Sequence, residues 1–146
     1  MSKKNNNAVA KAKYIPCDIF KRGIGVFIGT LEQFKKWVSI DYTSDDEKAF
    51  IEMILNLEEN DVGIASFNYD YKNGNGIVLL PKFPKTPKEI AALAHEMMHA
   101  TFFIMDFCQV DYNKNTNNET FTYVHEHLMR NALEETGYEE VRNEAQ

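Results

Sequence analysis

The segment from Thr86 to Asp106, Thr-Pro-Lys-Glu-Ile-Ala-Ala-Leu-Ala-His-Glu-Met-Met-His-Ala-Thr-Phe-Phe-Ile-Met-Asp, constrains this chain more than any other. Thr86 is placed to cap a helix, Pro87 suits its first position, and Glu89 closes a capping box. The helix begun there is expected to run to about Cys108. It is apolar nearly all the way round, the pattern of a central, buried helix. Yet His95, Glu96 and His99 lie in its middle. Two imidazoles and a carboxylate buried without partners would be costly, so the fold must supply partners.

The spacing suggests one. Positions i and i+4 lie about 40° apart around a helix, so His95 and His99 point the same way and can share a metal ion. Glu96 then stands beside that ion, able to hydrogen-bond a metal-bound water. A catalytic zinc site also needs a third protein ligand and an open fourth position. The downstream candidates are Asp106, Asp111, Glu119, His125, Glu126 and His127. Asp106 sits two turns along the same helix, too far from the ion. Phe102 and Met105 stand where a metzincin continuation demands glycine and histidine. Glu119 is preferred, because it begins a second helix after the polar loop Gln109–Asn118, long enough to reverse the chain. It can then face the histidines across an antiparallel helix pair, with Asn118 as its N-cap. A plain alternative is a first-turn glutamate favouring the helix dipole. Tyr123 shares the face of Glu119, and His127 two turns on can approach the site, whereas His125 points away into solvent.

The rest of the chain alternates short strands and helices. Tyr14–Ile19 and Ile24–Ile28 read as strands around Arg22-Gly23. Thr30 with Gln33 signals a helix over Leu31–Ile40 carrying Phe34, Trp37 and Val38 on one face. Ser44 with Glu47 signals another through about Leu57, with a strand over Ile51–Leu57 as competitor. Gly63–Tyr71 and Ile77–Lys82 flank Lys72-Asn-Gly-Asn-Gly76, a hairpin turn by its asparagines and glycines. Prolines at 81, 84 and 87 make an extended connector into the central helix. The last helix is expected over Glu119–Glu135, with Gly137 as its stop. Residues 1–13 hold four lysines and no acid and read as a disordered basic tail; 138–146 read as an acidic tail. One domain, 14–137, lies between them.

Composition narrows the function classes. With 16 Lys+Arg against 22 Asp+Glu, a net charge of −6 disfavours a protein that tracks nucleic-acid phosphates. No run approaches about 18 apolar residues, so no membrane span is expected. The first residues are charged without an apolar stretch behind them, so no secretory signal is expected. Cys17 and Cys108 make no ligand spacing and read as reduced, buried apolar residues, which fits a reducing cytoplasm.

His95-Glu-Met-Met-His99, then nineteen residues, then Glu119 preceded by Asn118, resembles the gluzincin pattern of thermolysin-type zinc peptidases. The wider span 24–135 is similar to small phage-encoded metallopeptidases. The resemblance implies that His95, His99 and Glu119 hold one zinc per chain and that Glu96 is the general base. It also implies a substrate that is a peptide or protein, cell-wall peptide included, met in a host cytoplasm or from a virion. One departure is Tyr123, standing where those enzymes have an aspartate that orients a zinc-bound histidine. Its hydroxyl could take that role or donate to an oxyanion. No counterpart of their large C-terminal domain is expected. Zincins also present an edge strand above the metal helix, along which peptides bind; Ile77–Leu80 is either that strand or an ordinary one.

The fold expected is α+β: a minimal zincin-like domain, with a small twisted sheet of three or four strands packed on helices and a central metal-binding helix pair. The function expected is zinc-dependent hydrolysis of a peptide bond. The alternative is a zincin-fold metal-binding protein without efficient catalysis, acting as an interaction, regulatory or virion component.

Overall fold

In the computed structural model, which describes residues 8–41 and 48–141, every described strand joins one five-stranded mixed sheet. The strands are β1 (Lys11–Cys17), β2 (Arg22–Ile28), β3 (Ser66–Asp70), β4 (Asn75–Leu80) and β5 (Glu139–Glu140), in the order β3-β4-β2-β1-β5. β1 and β2 are antiparallel, β2 and β4 parallel, β3 and β4 antiparallel. The helices are α1 (Leu31–Asp41), α2 (Lys48–Leu55), the short α3 (Glu59–Val62), α4 (Pro87–Phe107) and α5 (Asn118–Leu133). The chain is therefore α+β, and no described helix is long and apolar enough to cross a membrane.

The period-2 geometry of the strands sets the layers. Ile24, Val26, Val78 and Leu80 face one side and pack on Leu93, Met97 and Ile104 of α4 and on Val124 and Leu128 of α5. Phe27 and Leu79, the odd members of the same strands, face the other side and pack on Phe34 and Val38 of α1 and Ile54 of α2. Phe27 stacks on Trp37 at 5.5 Å. Two helical layers thus sandwich one sheet. The expected face of α1 is the buried one.

Several expectations are corrected. The sheet has five strands because both expected tails contribute: Lys11–Lys13 belong to β1, and Glu139–Glu140 pair with Lys11 and Ala12. Alternation at Ala10, Ala12 and Tyr14 was masked by the lysines between them. Residues 51–55 are helical, not strand. The capping signal Ser44/Glu47, like 1–7 and 142–146 of the tails, lies outside the described residues. α5 ends at Leu133, and Gly137, at φ 90°, turns the chain into β5 instead of ending the helix. Asn118 is the first helical residue, not the cap; Asn117 precedes it, and its side chain accepts from the Asn113 N–H rather than capping α5. Ile77–Leu80 lies in β4, an interior strand. The edge on the α4 side is β3.

Candidate metal and catalytic site

The entrance to α4 forms as its sequence requires. Thr86 Oγ1 accepts from the Glu89 N–H at 3.2 Å, and Glu89 Oε1 accepts from the Thr86 N–H at 3.0 Å. Lys82 closes the end by an ion pair with Glu89 at 2.9 Å. These bonds hold the Glu89 carboxyl down to about pKa 2, the Lys82 contact being the largest cause.

Beyond the cap, α4 is buried along one face only. Leu93, Met97, Ala100, Thr101, Phe103, Ile104 and Met105 form that face, while His95, His99, Phe102 and Asp106 are open to solvent. Full enclosure was expected because Ala91, Ala92 and Phe102 look apolar in sequence. The open face is where they lie, and Phe102 remains 45% exposed. The two imidazoles therefore need no buried partner.

What they have is each other. His95 Nε2 and His99 Nε2 are 3.1 Å apart, with their rings at 74°. Two nitrogens on one tetrahedral zinc, each about 2.0–2.1 Å from it, lie about 3.3 Å apart. The pair thus matches the spacing for a shared ion. The same spacing admits one hydrogen bond between a protonated and a bare nitrogen.

Glu96 is tied to the sheet edge. Its Oε2 accepts the Phe67 N–H at 2.8 Å. Because β3 is the edge strand, Phe67 can send its N–H outward to a side chain instead of to a neighbouring strand. The second oxygen, Oε1, has no hydrogen-bond partner among the described residues. Phe67 in turn is seated by Gly76, diagonally across on β4: a Cβ there would come within 2.8 Å of the Phe67 ring. Gly74, at φ 73°, completes the expected turn between β3 and β4.

The remaining candidates are placed otherwise. Glu119 and Tyr123 are exposed, one turn apart, and Tyr123 is 64% accessible. The buried residues of α5 are Phe121, Val124, Leu128 and Ala132. At 100° per residue, Glu119 and Tyr123 fall on the opposite side of the helix from that stripe. Among the described residues no three His, Cys, Asp or Glu side chains form a group able to hold a metal. The fit to zinc is therefore met by the histidine pair and not by a third ligand.

His125, expected in solvent, instead meets the carbonyl of Ala94 at 3.0 Å through Nε2, next to His95. His127, which its spacing would also allow near the site, meets the Pro16 carbonyl at 2.8 Å and so braces α5 against β1. The periodicity of Phe121, Val124 and Leu128, extended to His125, would have shown which histidine faces α4.

A groove of about 680 Å³ opens beside Glu96 and His99. Phe67, Tyr69 and Tyr71 form one wall, each ring 5.1–5.8 Å from that of Phe103. Phe102, Phe121 and Tyr112 form the other, in contact at 5.5 and 5.2 Å. A second hollow, of about 720 Å³, lies around Arg22, Trp37 and Glu139 and contains none of the candidate residues.

Compared with protein-family models, curated proteins and solved structures, the chain matches none.

Proposed function

We propose that this protein is a zinc-dependent metallopeptidase. The observation that carries the reading is the His95–His99 pair at 3.1 Å with the Glu96 carboxylate anchored beside it. His95 and His99 would hold the ion, and zinc bound there supplies an acidified water and a polarised carbonyl. Glu96 would accept on Oε1 the proton of the attacking water and return it to the leaving amine. The Phe67 N–H on Oε2 fixes that carboxylate against the edge of β3. A peptide laid along β3 would place its backbone beside all three groups.

Glu119 is the third ligand in this reading. Reaching the pair requires the first turn of α5 to rewind, and no side-chain cap pins that turn. Tyr123, one turn on, would move with it. The substrate is a peptide or protein, the zinc stoichiometry one per chain, and the setting a cytoplasm or a particle delivered to one. The gluzincin and phage resemblances support the same reading.

One second reading, a metal-binding protein without efficient catalysis, rests on Tyr123, which is 64% exposed and stands where the resembled enzymes have an orienting aspartate. One experiment separates the two. Zinc content and peptide hydrolysis are measured for wild type, Glu96→Gln and Glu119→Ala. The peptidase reading expects about one zinc per wild-type chain, lost or much weakened in Glu119→Ala. Hydrolysis should fall at least a hundredfold in Glu96→Gln with zinc retained. Zinc without hydrolysis in wild type selects the binding protein, and no zinc in wild type overturns both.

A further inference from the structure

The groove beside the histidines has a definite chemistry. Among the described residues its carboxylates are Glu96, Asp106 and Asp111, and no lysine or arginine lines it. Tyr71 donates its hydroxyl to Asp106, which holds that carboxylate at the end far from His99. Tyr69, Tyr71, Phe102 and Tyr112 are each about half exposed, so their faces are open to a ligand.

The dimensions set a register. From His99 to Asp106 is seven helical residues, about 10 Å of α4 at 1.5 Å each. An extended peptide covers that in about three residues. Open aromatic faces accept bulky apolar side chains, and they also attract cations by their quadrupoles. The carboxylates beyond them attract cations and repel acids.

We infer that this groove selects an extended peptide with a bulky aromatic or apolar residue beside the reacting bond and a lysine or arginine about three residues further on. The inference rests on the peptidase reading for its orientation. An acidic residue at the outer position is excluded by repulsion from Asp106 and Asp111.

The test uses three fluorescein-labelled peptides: one with Phe and, three residues on, Lys; one with that Lys changed to Glu; and one with the Phe changed to Ala. Binding is followed by anisotropy on zinc-loaded Glu96→Gln protein, which does not consume them. The Phe/Lys peptide should bind at least about fivefold tighter than the Phe/Glu peptide, with the gap narrowing between low and high salt. The Asp106→Asn, Asp111→Asn double variant should reduce that gap to within twofold while leaving the loss from Phe→Ala. Equal binding of the Lys and Glu peptides by the parent overturns the inference, whether or not the double variant folds. Wild-type cleavage of the same peptides reads the other question. Selective binding without cleavage rejects the peptidase and keeps the groove; cleavage without selectivity does the reverse.

Discussion

Glu96 has one role that stability measurements can read apart from the proposed chemistry. The Phe67 N–H on Oε2 is a bond from α4 to the sheet edge, and a hydrogen bond to a charged group is worth about 1.5–3 kcal/mol. Partial exposure reduces that, so Glu96→Ala should cost about 1–2 kcal/mol in urea unfolding, whereas Glu96→Gln, which keeps an acceptor, should cost under about 1. Equal losses in the two variants would show that the Phe67 bond carries no stability. Cys17 offers an independent check at the same scale. Burial, then Asp18 and Cys108, push its thiol up to about 11. The thiolate is the reactive form, so at pH 8 Cys17 should alkylate far more slowly than Cys108, with the difference lost in denaturant. Comparable native rates would contradict the buried position.

At the scale of the element, the start of α4 is the best-determined feature. Thr86→Ala removes the cap and should cost about 1 kcal/mol. Glu89 adds a pH signature whose sign is fixed by its depressed pKa. The carboxylate is favoured in the folded state, so its contribution is complete above the ordinary glutamate range. It is lost as pH falls from about 4.5 toward about 2. Glu89→Gln should flatten the acid limb of a stability–pH curve measured by thermal unfolding, and an unchanged limb would remove Glu89 from the account.

This element also shows what was legible in sequence. The cap, Pro87 and the His-Glu-Met-Met-His spacing are local, and local rules place them correctly. The orientation of α5 was not legible in the same way. Spacing and loop length point to Glu119, but which side of α5 faces α4 follows the helical period of Phe121, Val124 and Leu128, which motif spacing does not weigh. The edge position of β3 was hidden for a related reason. Ile77–Leu80 is the more apolar strand, and high apolarity goes with burial between neighbours rather than with an edge.

Across the whole molecule the ends of the domain close on each other, which tail composition concealed. Lys13 in β1 donates to the carbonyls of Asn131, Glu134 and Thr136 at 2.7, 3.2 and 2.8 Å, capping the end of α5. Its ammonium also lies 5.2 Å from the ring of Tyr138, whose hydroxyl donates to the Ala132 carbonyl at 2.6 Å. Burial pushes the Tyr138 hydroxyl well above the usual tyrosine range, as a partly enclosed ring requires. β5 then adds its short ladder to β1, and Val141 bonds Ala10 at 2.7 Å. Lysine and glutamate, read as solvating charge, here complete a clasp that holds α5 to the sheet. α5 carries Phe121 of the groove and Glu119 of the proposed ligand set, so the clasp and the site share a support. Truncation after Gly137 should therefore cost about 2–4 kcal/mol, through lost Tyr138 burial and its hydrogen bond. Lys13→Met, which keeps the stem but not the donors, should cost about 1–2 kcal/mol. Because the two changes disrupt one contact, their combination should fall short of the sum. Strict additivity in chemical denaturation would mean that Lys13 and Tyr138 act separately. A truncated chain as stable as the full one would return residues 138–146 to the status of a tail.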